Sequence, residues 1–283
     1  MPARLFFLFL GCSMLSTALP DLASAEALRL LSVPDPSPAL PAGGNGPSGS
    51  PILSADGRYV VFSSAANNLV SISNQDLAGP FPPRLNVFLK DRTSGITSLV
   101  SVNQSGTGAN GDSLPSEVST NGRFVLFESA ATDLVANDTN GITDIFVRDL
   151  VAGTTMAVTV STNGGIANAR SRDPVMTPDG RYVAFTSEAD NLVPSDTNKL
   201  ADVFVRDLQS GTTRVVSVGA TFRSPEANTA PVASTSERPR ITPDGRYIAF
   251  YSTATNLVPG ARANAEIFVR DTVANATRWA SPN

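Results

Sequence analysis

One plan, written four times along 283 residues, constrains this chain more than any other feature. The first copy reads Ser54-Ala-Asp-Gly-Arg-Tyr-Val-Val-Phe62-Ser-Ser, then Asn68-Leu-Val70, then Asn86-Val-Phe-Leu-Lys-Asp91. The second runs from Ser119-Thr-Asn-Gly-Arg-Phe through Asp133-Leu-Val135 to Asp144-Ile-Phe-Val-Arg-Asp149. The third runs from Thr177-Pro-Asp-Gly-Arg-Tyr through Asn191-Leu-Val193 to Asp202-Val-Phe-Val-Arg-Asp207. The fourth runs from Thr242-Pro-Asp-Gly-Arg-Tyr through Asn256-Leu-Val258 to Glu266-Ile-Phe-Val-Arg-Asp271. The reference phenylalanines Phe62, Phe127, Phe185 and Phe250 lie 65, 58 and 65 residues apart. A repeat of this length is one supersecondary unit that buries its apolar faces only by stacking on its siblings.

Each unit holds four short strand candidates. Asp-Gly or Asn-Gly supplies the positive φ of a tight hairpin after the first. The second and third are rich in β-branched and aromatic residues. Gly95, Gly153 and Gly211 mark the turn into the fourth, exemplified by Thr213 to Ser217. The middle strands are apolar on both faces, where a sheet with one wet face would alternate. Sheets sandwiched between neighbours on both sides meet that pattern. The expected fold is therefore all-β, a β-propeller of about four four-stranded blades, as an incomplete or open ring or a closed one. The repeats are expected at 50–102, 115–161, 172–218 and 237–281, within a propeller domain of 26–283. Asn45-Gly-Pro-Ser48, Asn110-Gly-Asp-Ser113 and Asn168-Ala-Arg-Ser171 echo one another ahead of the first strands. Leu28 to Val33 resembles a fourth strand without its own blade; Thr277 to Ser281 already supplies one for the last repeat.

Before the repeats, Arg4 precedes an apolar run from Leu5 to Leu15, and Ala23-Ser24-Ala25 has the small residues of a cleavage site. Residues 1–25 are expected to be a signal peptide, which places the mature chain in the periplasm or outside the cell. The run falls short of the roughly 20 residues a membrane span needs. Lipidation at Cys12 is the alternative, as an anchored lipoprotein.

Absences narrow the chemistry. The chain has no histidine, and its one cysteine is Cys12. The commonest general base, the usual activator of Ser and Cys nucleophiles and the commonest zinc ligand are all missing. A net charge of −4 with no basic cluster points away from nucleic acid.

Thr-Pro-Asp-Gly-Arg-Tyr-Val-Ala-Phe and Asp-Val-Phe-Val-Arg-Asp resemble the WD-like propeller repeats of TolB type, over roughly residues 27 to 283. The resemblance implies a β-propeller. TolB itself carries an α/β domain before its propeller, whereas here the repeats follow the signal directly, so the chain is not expected to be TolB. Similar propellers cap prolyl oligopeptidases, whose α/β-hydrolase domain uses a histidine. Ser54-Ala-Asp56-Gly57 lacks the spacing of the sialidase Ser-x-Asp-x-Gly box.

Three groups of side chains merit attention as sites. Asp138-Thr-Asn140-Gly-Ile-Thr-Asp144 and Asp196-Thr-Asn198-Lys-Leu-Ala-Asp202 share Asp-x-Asn-x-x-x-Asp. Oxygen side chains so spaced suit calcium; otherwise they bond their own backbone in turns. No other cofactor is expected. The recurrent Arg148-Asp149, Arg206-Asp207 and Arg270-Asp271 pairs read as an Asp that organises the next turn and an Arg that pairs locally. Glu128 and Glu188, at the ends of second strands, are the carboxylates a glycan hydrolase would need. The expected function is a non-catalytic binding scaffold for a protein or cell-envelope polymer. A carboxylate-based hydrolase and a calcium-dependent module are the alternatives, and a homodimer is expected if the ring is open. The loops 71–85, with Gly79-Pro-Phe81-Pro-Pro83, and 219–237 are the expected partner-facing insertions.

Overall fold

The structure is a computed structural model, and it describes residues 44–70, 84–194, 196, 198–221, 234–261 and 266–281. The signal segment, the Leu28–Val33 strand candidate and most of both insertions lie outside the described residues. The described chain has no helix, and so none long and apolar enough to cross a membrane.

Sixteen strands form four four-stranded antiparallel sheets, each in simple meander order. Blade 1 holds β1 (Ser48–Leu53), β2 (Tyr59–Ser64), β3 (Asn86–Asp91) and β4 (Thr97–Leu99). Blade 2 holds β5 (Ser113–Val118), β6 (Phe124–Ser129), β7 (Asp144–Asp149) and β8 (Thr154–Ala157). Blade 3 holds β9 (Ser171–Met176), β10 (Tyr182–Ser187), β11 (Asp202–Asp207) and β12 (Thr212–Val215). Blade 4 holds β13 (Ser236–Ile241), β14 (Tyr247–Ser252), β15 (Glu266–Asp271) and β16 (Ala276–Trp279). The last hairpin turns on Gly95, Gly153 and Gly211, all at positive φ. In blade 4, Asn275 takes the same left-handed conformation at φ 58°. Asn tolerates that region better than most residues.

The two-faced apolar pattern has the cause expected of it. One face of each blade carries a stacked cross-strand pair: Phe62–Phe88, Phe127–Phe146, Phe185–Phe204 and Phe250–Phe268, with centroids 5.7–5.9 Å apart. The opposite face carries aliphatic residues. Val61, Val87 and Leu89 of blade 1 pack on Phe127 and Phe146 of blade 2. Leu126, Ile145 and Val147 of blade 2 pack on Phe185 and Phe204 of blade 3. Ala184, Val203 and Val205 of blade 3 pack on Phe250 and Phe268 of blade 4. The core is thus three separate aromatic-on-aliphatic layers between blades, and burial of these rings supplies most of the stabilisation.

No comparable packing joins blade 4 to blade 1 among the described residues, so the sheets form an open arc. The far face of blade 4 records this. Ile267 is 42% exposed, whereas its counterparts Val87, Ile145 and Val203 are fully buried.

The Asp-Gly-Arg-aromatic phrase locks one blade to the next. Asp56, Asn121, Asp179 and Asp244 each accept a Ser or Thr hydroxyl two residues back and the amide two residues on, which shapes the turn. The following arginine reaches the third strand: Arg58–Asp91, Arg123–Asp149, Arg181–Asp207 and Arg246–Asp271 at 2.7–2.9 Å. Each guanidinium also lies over its neighbouring aromatic ring, 4.7–4.8 Å from the centroid. In the first three blades that ring also meets a glycine of the next blade: Tyr59 meets Gly122, Phe124 meets Gly180 and Tyr182 meets Gly245. Among the described residues no glycine meets Tyr247 of blade 4, which is 38% exposed.

The Asn-x-x-Ser echo is a second clasp. Asn45, Asn110 and Asn168 accept the amides of Asn67, Thr132 and Asp190. In return Asn68, Asp133 and Asn191 accept the amides of Asn45, Asn110 and Asn168. The polar residue of each Asn/Asp-Leu-Val phrase therefore ties the start of a blade to the end of its second strand.

Candidate functional site

The four first strands share one cavity, which makes them the inner strands of the arc. Its volume is about 780 Å³, and it is lined from β1, β5, β9 and β13. Each of these strands is irregular at the same point. Register breaks between Gly49 and Ile52, between Pro115 and Glu117, opposite Ala184–Thr186 in β9, and between Glu237 and Arg240. In three of the four, the bulge holds a non-glycine residue at left-handed φ: Ser50 at 50°, Asp173 at 55° and Arg238 at 56°, each directly before a proline. In β5, Pro115 stands where Asp173 stands in β9, and its ring excludes positive φ. Strain of this kind costs of order 1–3 kcal/mol per residue and persists where the surroundings hold it, commonly at binding surfaces.

The cavity walls carry charge of both signs. Glu117 and Glu128 from blade 2 face Asp173, Arg238 and Arg240 from blades 3 and 4. Glu117 accepts the Met176 amide at 2.6 Å, and Glu128 accepts the Asp173 amide at 3.0 Å. These bonds satisfy inner-edge donors that no strand pairs. Burial raises the pKa of both carboxyls, and the amide bonds pull each partly back. In the next blade, Thr186 takes the place of Glu128 and accepts the Arg238 amide at 3.2 Å. Arg172 joins Glu237 at 3.0 Å and Glu188 at 3.4 Å.

Sequence reasoning singled out Glu128 and Glu188 together. Glu128 lines the cavity and holds the Asp173 bulge; Glu188 is exposed and is not in the lining. Sequence reasoning missed Glu117, Arg238 and Arg240. The strand pattern carried one signal for them, the Ser-Pro, Asp-Pro and Arg-Pro steps inside first strands, because proline inside a strand marks a bulge or an edge.

The Asp of each Arg-Asp pair does organise the next turn: Asp91, Asp149, Asp207 and Asp271 accept the amides of Thr93, Val151, Gln209 and Val273. Arg148, Arg206 and Arg270 pair locally with Thr155, Thr213 and Thr277. The strong partner of each Asp is the arginine after the Asp-Gly or Asn-Gly turn, and that hydrogen bond holds Asp149 and Asp207 down at about 2.

The two Asp-x-Asn-x-x-x-Asp loops end in matching polar latches. Asn140 donates to Asp144 at 2.6 Å and to the Ala167 carbonyl at 3.0 Å, and its Oδ1 accepts the Ile142 amide at 3.0 Å. Thr159 donates to Asp144 at 2.7 Å. Asn198 repeats this with Asp202, the Ala220 carbonyl and the Leu200 amide, and Ser217 donates to Asp202. The asparagines therefore do bond their own loop. Asp138 and Asp196, the first residues of the two loops, stay outside these latches.

Burial pushes Asp144 and Asp202 up to about 6. Their folded pKa exceeds the unfolded value of about 3.9, so the fold favours the protonated form. That contribution is complete below about pH 4 and is lost as pH rises through about 6. Asp149 and Asp207 act oppositely, but only below about pH 4. In buffer containing EDTA, the protein is expected to be more stable at pH 4.5 than at pH 7.5, by roughly 2 kcal/mol for each of the two carboxyls at about 1.4 kcal/mol per tenfold change in proton affinity. Urea midpoints at the two pH values measure it, and equal midpoints would show that water reaches both carboxyls.

No protein-family model matches the chain, and no curated protein sequence does. Solved structures similar to it include a TolB protein from Agrobacterium tumefaciens, at 15% identity and a TM-score of 0.44, covering 80% of this chain and 62% of that one. A prolyl endopeptidase gives 15% identity and a TM-score of 0.48, covering 84% and 29%. The β-propeller domain of the Trilobed protease from Pyrococcus furiosus, described as having an open velcro topology, gives 11% and 0.41, covering 84% and 72%. The chain thus spans less than two thirds of the TolB and endopeptidase chains. Its four consecutive four-stranded antiparallel sheets give the chain the all-β blade architecture of a β-propeller, and TolB and peptidase propellers stand among the solved structures similar to it.

Proposed function

We propose that this chain is a non-catalytic, exported binding scaffold that receives a short polypeptide segment of a protein partner in the cavity between its inner strands. The observation that carries this reading is the cavity itself, a space of about 780 Å³ built on three left-handed non-glycine bulges. Ligand sites commonly occupy roughly 300–1,000 Å³, and pleated blades hold the lining rigidly. Glu117 and Glu128 of blade 2 and the guanidinium groups of Arg238 and Arg240 of blade 4 suit a segment that offers both an amine or amide and a carboxylate. The export reading rests on the charged, apolar and small-residue order of residues 1–25.

Peptide display against the purified chain tests this reading. Selected peptides are expected to lose at least about tenfold in affinity, near 1.4 kcal/mol, for Arg240→Glu and for Glu117→Lys. Circular dichroism would verify that both variants fold. Peptides that bind the two variants as tightly as the parent would place the binding surface elsewhere and remove the proposal.

A further inference from the structure

The loops entering β7 and β11 contain acids that the latches leave with buried, unpartnered oxygens. Asp138 is 4% exposed, both of its carboxylate oxygens are buried without a hydrogen bond of ordinary geometry, and only the Asn140 backbone amide lies near enough to favour its charge. Asp196, at the same place in blade 3, is 9% exposed, and its Oδ2 is likewise buried and unpartnered. Asp196 Oδ1 takes only the Asn198 amide, at 3.4 Å. No ion pair reaches either residue among the described residues. A carboxylate removed from water without compensation is among the costliest groups a fold can hold. Here the same uncompensated group occurs twice.

Each orphan also sits where more negative charge gathers. Asp138 and Asp144 are close enough to feel each other's charge, as are Asp196 and Asp202. Asp144 and Asp202 are fully or almost fully buried. Asp133 adds to the field at Asp138, and Asp190 to that at Asp196. Asp133 accepts from Asn103 and Asn110, bonds that favour its own ionised form.

We propose that the Asp138–Asp144 and Asp196–Asp202 loops each bind one calcium ion, with Asp138 and Asp196 as the principal anionic ligands. Every side-chain donor available is a hard oxygen, from Asp138, Asn140 and Asp144 or from Asp196, Asn198 and Asp202, which suits calcium over transition metals. No third carboxylate joins either pair as a metal cluster among the described residues. The ion therefore completes its shell with amide and backbone oxygens and water, as calcium accepts and magnesium resists. Blade 1 replaces Asp144 with Asn86 and blade 4 replaces it with Glu266, and the loops ahead of both lie mostly outside the described residues.

Titration calorimetry of calcium chloride into the full-length, EDTA-stripped protein at pH 7.5 tests the proposal. Two ions per chain are expected, with the melting temperature rising by about 5 °C or more in millimolar calcium. Asp138→Asn is expected to leave one ion, and Asp138→Asn with Asp196→Asn none. That double variant should also melt at one temperature with calcium or EDTA. Absence of saturable heat and of a melting shift in the parent would overturn the proposal. A calcium shift that persists undiminished in the folded double variant would do so as well. If the double variant fails to fold, terbium luminescence on the parent decides the matter: two sites emptied by calcium support the proposal, and none refutes it.

Discussion

Gly180→Ala is expected to destabilise the protein by roughly 3 kcal/mol or more, while Gly153→Ala costs only about 1–2 kcal/mol. Both glycines have left-handed φ, 79° and 68°, so both substitutions incur the backbone strain of an L-residue there, about 1–2 kcal/mol. They differ in what a methyl group would meet. At Gly153 nothing lies within 4 Å. At Gly180 the methyl would fall on the Phe124 ring of the preceding blade, over which the Arg123 guanidinium also lies. The ring must shift to admit the methyl, and it lies beneath the guanidinium that binds Asp149. Overpacking of this kind adds about 1–3 kcal/mol. Urea unfolding of the two variants beside the parent gives the comparison. Equal losses at the two sites would mean that Gly180 acts through its own turn alone, and that blades are not keyed at this contact.

A second large effect is expected where the arc is continuous and not at its end. Ile145→Ala should cost about 3–4 kcal/mol, within the usual range for emptying a buried aliphatic site. Ile145 is fully buried in the layer between blades 2 and 3. Ile267 occupies the same strand position in blade 4 but is 42% exposed. Ile267→Ala should therefore cost less than about 1 kcal/mol, since little area leaves water there. Thermal and urea unfolding of each variant in dilute solution measure both. A loss at Ile267 as large as that at Ile145 would show that the outer face of blade 4 is covered in solution, and the arc would then be closed by something packed against it.

The strand repeat, its hairpin glycines and the two-faced apolar pattern were legible because they are local or periodic. Val-Phe-Val with no polar alternate admits no wet face, so sheets covered on both sides follow from the residues alone. The turn role of each Asp after Arg was legible for the same reason, since the bond spans two or three residues. The cavity residues were harder to read. Glu117, Arg238 and Arg240 do not occupy repeated positions of like chemistry, and nothing local says that β5 and β13 face a common space. Their bulges left a trace only in the prolines.

By itself the sequence determined the number of blades, the strands within them and the chemical poverty of a chain without histidine. All of these depend on residue identity and short-range spacing. The tertiary structure alone decided that Gly180 caps a ring in another blade, that Arg123 after the Asn-Gly turn and not the sequence neighbour Arg148 holds Asp149, and that Asp138 is buried unpartnered while Asp144 is latched. The first depends on which surfaces meet when blades stack, a property of the assembled layers and not of any one repeat, and the others on which side chains the pairing of strands within a blade brings together.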